Sequence, residues 1–286
     1  MKILFTGHKG FVGKAACKEL EKNGHEIIGY DLPESNLMDA SSLQYLTNRS
    51  EMVVHCAAIA NLYDTAKNPS ETYNTNVTGT YNVMRAAKKS GTKVVYISTC
   101  CVYGPHIEAH EQTLPNPVEF YAKSKLAGEV LMSELGKNFI TLRLGTVYGP
   151  GMRKALFNYK ILEALKNKEF FYIFGDGTAS RNYIYIDDLA DGINKAVGEF
   201  ARNENIGGKI FNLCGTEITT LDEVVEVAEA VSGCIAMYNK TSPRSMGDYG
   251  ENISNEKARR YLGWRPNVEY YTGMKYTWEW INENTK

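Results

Sequence analysis

Residues 7–13 read Gly-His-Lys-Gly-Phe-Val-Gly, and they join a short apolar run at 3–6 to a helical pattern at 11–23. Three glycines at such a junction constrain the chain more than any other stretch. The first permits a tight turn, the second lets backbone approach a diphosphate, and the third lets the helix close on the strand. Strand-like runs follow at 26–31, 52–56, 93–98 and 139–144. Helical spacing appears at 69–90, with Val77, Tyr81, Met84 and Ala87 near one face, and again at 120–136. Near-continuous apolar strands alternating with helices predict an α/β chain built on a doubly wound parallel sheet of Rossmann type, covered on both faces.

After Gly149-Pro150-Gly151 the pattern changes. A helix is expected at 155–166, a strand at 170–174, a turn at Gly175-Asp176-Gly177 and an extended run at 183–186 before a helix starting near Asp187. A strand at 210–213, a helix at 221–231 and an aromatic terminal helix through Trp278 and Trp280 complete the reading. These elements predict a smaller C-terminal substrate lobe interleaved with the first. The dinucleotide-binding domain would comprise 1–148 plus about 183–214, and the second lobe about 149–182 plus 215–286.

A net charge of −1 over 286 residues gives no basic surface for nucleic acid. The six cysteines, at 17, 56, 100, 101, 214 and 234, form no CxxC pair, and with five scattered histidines they suggest no metal site. Free thiols imply a reducing compartment. The N-terminus enters a strand without a signal-peptide pattern. The longest apolar run, at 52–60, is too short to span a membrane. A cytoplasmic protein with no membrane partner is expected.

Asp31 stands at the tip of the second strand, where a carboxylate binds a ribose diol and repels a 2′-phosphate. That favours NAD over NADP, with Gly7, Gly10, Phe11, Val12 and Gly13 around the diphosphate. Further on, Tyr121-Ala-Lys-Ser-Lys125 places a cation one helical turn after a phenol. A free Tyr ionises near pH 10, and a neighbouring cation lowers that value. Tyr121 would take a proton from a sugar or alcohol hydroxyl while hydride leaves the same carbon for the cofactor. Thr99, ending the strand at 93–98, would hold the reacting oxygen in line.

With these motifs the chain resembles the extended short-chain dehydrogenase/reductase family, in its NAD-dependent nucleotide-sugar epimerase/dehydratase branch, from Thr6 to Trp280. The resemblance implies several roles. His55-Cys56-Ala57-Ala58 is similar to the family's strand end, with Ala57 and Ala58 walling the cofactor. Asn76 in Asn76-Val-Thr-Gly-Thr80 would support Lys125 through ordered water. Residues 142–151 resemble the segment between cofactor and sugar, and Gly175-Asp176-Gly177 with Arg181 and Asp187-Asp188 resembles the diphosphate region. Arg244 with Asp248 is similar to a later phosphate grip, at a spacing one residue longer than usual. Asn36 and Leu37 stand at the adenine position, with Asn36 replacing a usual Asp, and Thr146 replaces a common Asn at the substrate diphosphate. The substrate partner implied is a nucleotide-diphosphate sugar. The resemblance also implies a homodimer packed through the helices at 69–90 and 120–136.

Dehydratases of this branch carry Asp-Glu after the Thr, and this chain has Cys100-Cys101. The remaining reaction needs only Tyr, Thr and cofactor: transient C4 oxidation, rotation of the keto sugar and hydride return, as in a 4-epimerase. A single-step C4 reductase or dehydrogenase fits the same residues. Cys101 also falls where 3,5-epimerising relatives place an acid/base Cys, although Gly151 occupies the partner His position. As a third class, the fold could serve a non-enzymatic NAD-binding sensor or scaffold.

Overall fold

The computed structural model describes residues 1–105, 108–243 and 250–284. The first half runs β1 (Lys2–Thr6), α1 (Phe11–Lys22), β2 (Glu26–Tyr30), α2 (Ala40–Thr47), β3 (Met52–His55), α3 (Leu62–Lys67), α4 (Pro69–Tyr73), α5 (Gly79–Ser90), β4 (Lys93–Thr99), α6 (Phe120–Ser133) and β5 (Phe139–Leu144). The second continues with β6 (Thr146–Tyr148), α7 (Phe157–Asn167), β7 (Phe170–Phe174), β8 (Ser180–Arg181), β9 (Tyr183–Tyr185), α8 (Ile186–Arg202), β10 (Ile210–Leu213), β11 (Thr219–Thr220), α9 (Leu221–Ser232), β12 (Met237–Thr241), α10 (Glu256–Leu262) and α11 (Tyr270–Asn284).

Six strands form one parallel sheet in the order β10-β5-β4-β3-β1-β2. This is a doubly wound Rossmann-type sheet, as the alternation predicts. Every residue of β3 and β5 is buried, which explains why those strands read as unbroken apolar runs. Alternate side chains feed two cores. Phe5, Val54, Ile97 and Leu142 pack with α1, α8 and α10 on one face. Leu4, Val53, Val94 and Tyr96 pack with α2 and α5 on the other. The strand order reverses between β1 and β3, and a doubly wound sheet opens its ligand crevice at that point, outside the strands' carboxyl ends.

A third core joins α7, α9 and α11 to a cluster of Tyr148, Tyr183, Tyr185 and Tyr270. Three two-stranded pairs border it: β6 with β9 and β7 with β12, both parallel, and β8 with β11, antiparallel. Trp264 returns to the first core. Its indole Nε1 donates to the Asp188 carbonyl at 3.0 Å, and a Cβ on Gly192 would lie 2.9 Å from its ring. Among the described residues no helix is long and apolar enough to cross a membrane.

The single helix expected over 69–90 is broken. α4 gives way to a π-helical turn at Asn74–Thr78 before α5 begins. The cause lies at Asn76, whose fully buried side chain leaves the helix to hold the backbone of Ile59, accepting from its amide at 2.8 Å and donating to its carbonyl at 3.0 Å.

Candidate active site

The crevice between β1 and β3 is one end of a cavity of about 1130 Å³. Gly7 forms its floor at φ 76°, and a Cβ there would lie 2.7 Å from the Ala57 backbone. A Cβ on Gly13 would lie 2.1 Å from the Gly7 carbonyl oxygen, so α1 can approach the strand this closely only without a side chain. Phe11, Val12 and Gly13 line the cavity at the start of α1, where the first amides of a helix have no intrahelical partner. Gly10, Ala57 and Ala58 line it beside them.

Asp31 is fixed at the rim. Its carboxylate accepts from the Lys9 amide at 3.0 Å and the Leu32 amide at 2.9 Å. The Lys9 ammonium is engaged by the Glu34 carboxylate and, at 3.2 Å, by the Leu32 carbonyl. Asn36 and Leu37 also line the cavity. The Asn36 Oδ1 accepts from the Met38 amide at 2.9 Å, and Leu37 packs on Gly79, where a Cβ would come within 2.8 Å of its side chain.

At the other end of the cavity the Thr99 hydroxyl lies beside the Tyr121 phenol. Burial pushes the phenol's pKa up, with the nearby Cys101 thiol adding to the effect. The opposing charge is the guanidinium of Arg153, in the loop before α7, with the neighbouring Thr99 hydroxyl a smaller influence in the same direction. Lys125 lies one turn further along α6, almost fully buried, with its ammonium 4.2 Å from the centre of the Tyr96 ring. Burial lowers the Lys125 pKa to about 8, while the Cys56 thiol and the Glu129 carboxylate work in the other direction. Asn76 reaches this helix directly: its Nδ2 donates to Ser124 Oγ at 2.9 Å, and Ser124 Oγ donates to the Tyr121 carbonyl at 2.7 Å.

A directed chain of hydrogen bonds runs behind these groups. The Ala57 amide donates to Thr6 Oγ1 at 3.3 Å, and Thr6 Oγ1 contacts His55 Nδ1 at 2.7 Å. His55 Nε2 contacts Thr80 Oγ1 at 2.9 Å, and Thr80 donates to the Asn76 carbonyl at 2.6 Å. Because the Thr80 proton goes to that carbonyl, His55 must donate from Nε2 and accept at Nδ1. Burial, with the nearby Lys125 charge, lowers the His55 pKa to about 3, so the ring is neutral.

The same end holds Cys101, Thr146 and Arg181 in the cavity wall. Arg181 Nε lies 3.7 Å from the buried Glu251 carboxylate. Burial and Glu251 push the Cys101 thiol up to about 12, with the Thr99 hydrogen bond and Arg181 opposing and Glu119 adding. Arg153, Glu119 and Glu251 line the cavity too. No spacing signal marks them, because they come from a loop, a helix cap and a segment far along the chain. Asp188, by contrast, is taken up by backbone: its Oδ2 accepts from the Asn267 amide at 3.0 Å and the Val268 amide at 2.8 Å. Asp176 Oδ1 holds Thr178. Arg244 and Asp248 lie outside the described residues.

Residues 3–214 match the NAD dependent epimerase/dehydratase family. The chain belongs to that family. Among relatives of this epimerase/dehydratase, a UDP-glucose 4-epimerase of Mycolicibacterium smegmatis is 28% identical over the whole of both chains. An uncharacterized UDP-glucose epimerase of Bacillus subtilis is 30% identical over 96% of each. The structure of UDP-glucuronic acid 4-epimerase from Bacillus cereus, in complex with UDP-glucuronic acid and NAD, superposes with a TM-score of 0.92 at 27% identity over 99% of each chain. The protein is therefore an NAD-dependent enzyme. Its residues fit that cofactor: the glycine floor, which a Cβ would fill, abuts a helix N-terminus, and the fixed Asp31 carboxylate at the end of β2 could take a ribose diol, the neighbouring lysine being already paired.

Proposed function

We propose that this enzyme is a nucleotide-sugar 4-epimerase. The observation that carries the reading is the meeting of Thr99, Tyr121 and Lys125 in one cavity continuous with the dinucleotide cradle, with thiols and no carboxyl group in the two positions after Thr99. Uridine diphosphate is our choice of carrier, because the relatives are named for UDP-glucose and UDP-glucuronate.

Bound NAD supplies the hydride acceptor and donor at C4. Tyr121 takes the C4 hydroxyl proton on oxidation and returns it on reduction. Thr99 donates to or accepts from the same oxygen and fixes it against the phenol. A phenol with a raised pKa is a poor base, so its deprotonation depends on cations: Arg153 beside it, Lys125 one helical turn further along α6, and the charge that the oxidised cofactor would bring. Asn76 secures the Tyr121–Lys125 turn through Ser124. Gly7, Gly10, Phe11, Val12, Gly13, Asp31, Asn36, Leu37, Ala57 and Ala58 form the cofactor side of our reading. Thr146, Arg181, Arg244 and Asp248 form the nucleotide-sugar side, in the two-lobe division read from the sequence.

Cys101 is a neutral thiol at physiological pH and cannot act as a base. Glu119 and Glu251 beside it still favour one second reading, in which a carboxylate removes a proton next to the C4 ketone and Cys101 returns it. Proton NMR of products from a panel of UDP-, GDP- and dTDP-hexoses in heavy water separates the two. The expected product is C4-inverted without solvent deuterium and needs no added cofactor. Deuterium at C3 or C5 would replace the 4-epimerase reading with the second one. Tyr121→Phe should lower turnover by about 10²–10⁴-fold while keeping NAD bound; wild-type turnover by that variant would remove Tyr121 from the scheme.

A further inference from the structure

Thr99 and Tyr121 must meet at one oxygen, yet they sit on separate elements, β4 and α6. One buried carboxylate ties those elements together. Glu129 lies one turn beyond Lys125, so Tyr121, Lys125 and Glu129 form a ladder along one face of α6. Its Oε1 accepts from Ser98 Oγ at 2.6 Å and from Arg143 Nε at 2.9 Å, and its Oε2 accepts from Arg143 Nη2 at 2.6 Å. Ser98 is the residue before Thr99. Arg143 comes from β5, and its guanidinium stacks 4.7 Å from the Tyr103 ring. Tyr103 in turn donates to Asn212 Oδ1 of β10 at 2.7 Å. Ser98, Glu129 and Arg143 are all buried.

We propose that Glu129 is a positioning residue: its carboxylate, held by Ser98 of β4 and Arg143 of β5, braces Thr99 against the Tyr121–Lys125 face of α6. The same carboxylate, one helical turn from Lys125, favours the lysine's charged form. The inference rests on the reading of Tyr121, Thr99 and Lys125 given above. The groups facing Lys125 are Cys56 and His55 from the β3 end, Tyr96 from β4, and Glu129 from its own helix, with Tyr121 one turn before it. Glu129 is the carboxylate in this set. It pairs with Arg143 through both oxygens, takes the Ser98 hydroxyl as well, and still raises the proton affinity of Lys125.

The test needs no sugar substrate. Protein carrying ¹³Cε-labelled lysine, with Lys125 assigned from Lys125→Arg, is titrated by NMR. Glu129→Gln should move the Lys125 titration to lower pH by about one unit. That variant leaves Arg143 buried without its anion and can fail to fold, so Glu129→Gln/Arg143→Met, which removes both charges, is titrated beside it. Ser98→Ala separates brace from charge: the Lys125 titration should stay in place while kcat falls at unchanged KM. In the sugar assay the alkaline limb of the pH profile should move to lower pH in Glu129→Gln, since Lys125 loses its proton earlier. An unmoved Lys125 titration in a folded variant lacking Glu129 overturns the proposal. A moved titration in a protein that turns over no nucleotide sugar leaves this inference standing and removes the epimerase reading instead.

Discussion

His55 sits between two threonine hydroxyls with no contact to water, and its ring is neutral at any pH near physiological. Its folded pKa, about 3, lies below the ordinary value near 6.5, so acid favours the unfolded chain. The contribution is complete above about pH 6.5 and declines as pH falls toward 3. Its upper limit is roughly 5 kcal/mol. Urea titrations at pH 7 and pH 4 check this: His55→Gln, lacking the titrating ring, should lose less stability between those pH values than the parent. Gly7 makes a different demand. Gly7→Ala adds a methyl 2.7 Å from the Ala57 backbone at a positive φ, so NAD retention should fall sharply, measured by absorbance of the purified protein. The sequence revealed Gly7, Asp31, Tyr121 and Lys125, because each obeys a spacing rule along one strand or helix. It did not reveal Arg153, Glu119 or Glu251, which owe their place in the cavity to chain segments meeting in space.

Elements with a strong period were legible, and elements held by tertiary contacts were not. β5, β7 and β10 fall at the residues expected, since apolar runs that short and continuous have few alternatives. α2, α3, α10 and β12 were missed. β12 is mostly exposed and polar, and pairing with β7 makes it a strand. The π turn before α5 could not be read either, because it exists to let Asn76 grip Ile59. α9 shows a local signal that does hold: Thr220 and Glu223 form a reciprocal capping box. Thr220→Ala should cost about 1 kcal/mol, seen as a lower urea midpoint at unchanged m.

At the scale of the molecule, α5 and α6 lie beside one another, and Tyr81 and Val130 remain exposed on them. Our proposal of a homodimer through these helices expects twice the chain mass in light scattering, and the monomer mass for Val130→Asp. The doubly wound sheet was legible in the alternation of strands and helices. The interleaving of the last third was less so, because Trp264 carries no sign in its own neighbourhood that it belongs under Gly192. That indole completes the hydrophobic centre of a sheet whose other members are nearly all made before residue 214. Without residue 264 the first core is left with a hole over α8. A fragment stopping at residue 214 keeps the whole glycine signature and the Tyr121–Lys125 pair. It should nonetheless remain a loose, protease-sensitive intermediate, because the plug that closes its interior arrives fifty residues later.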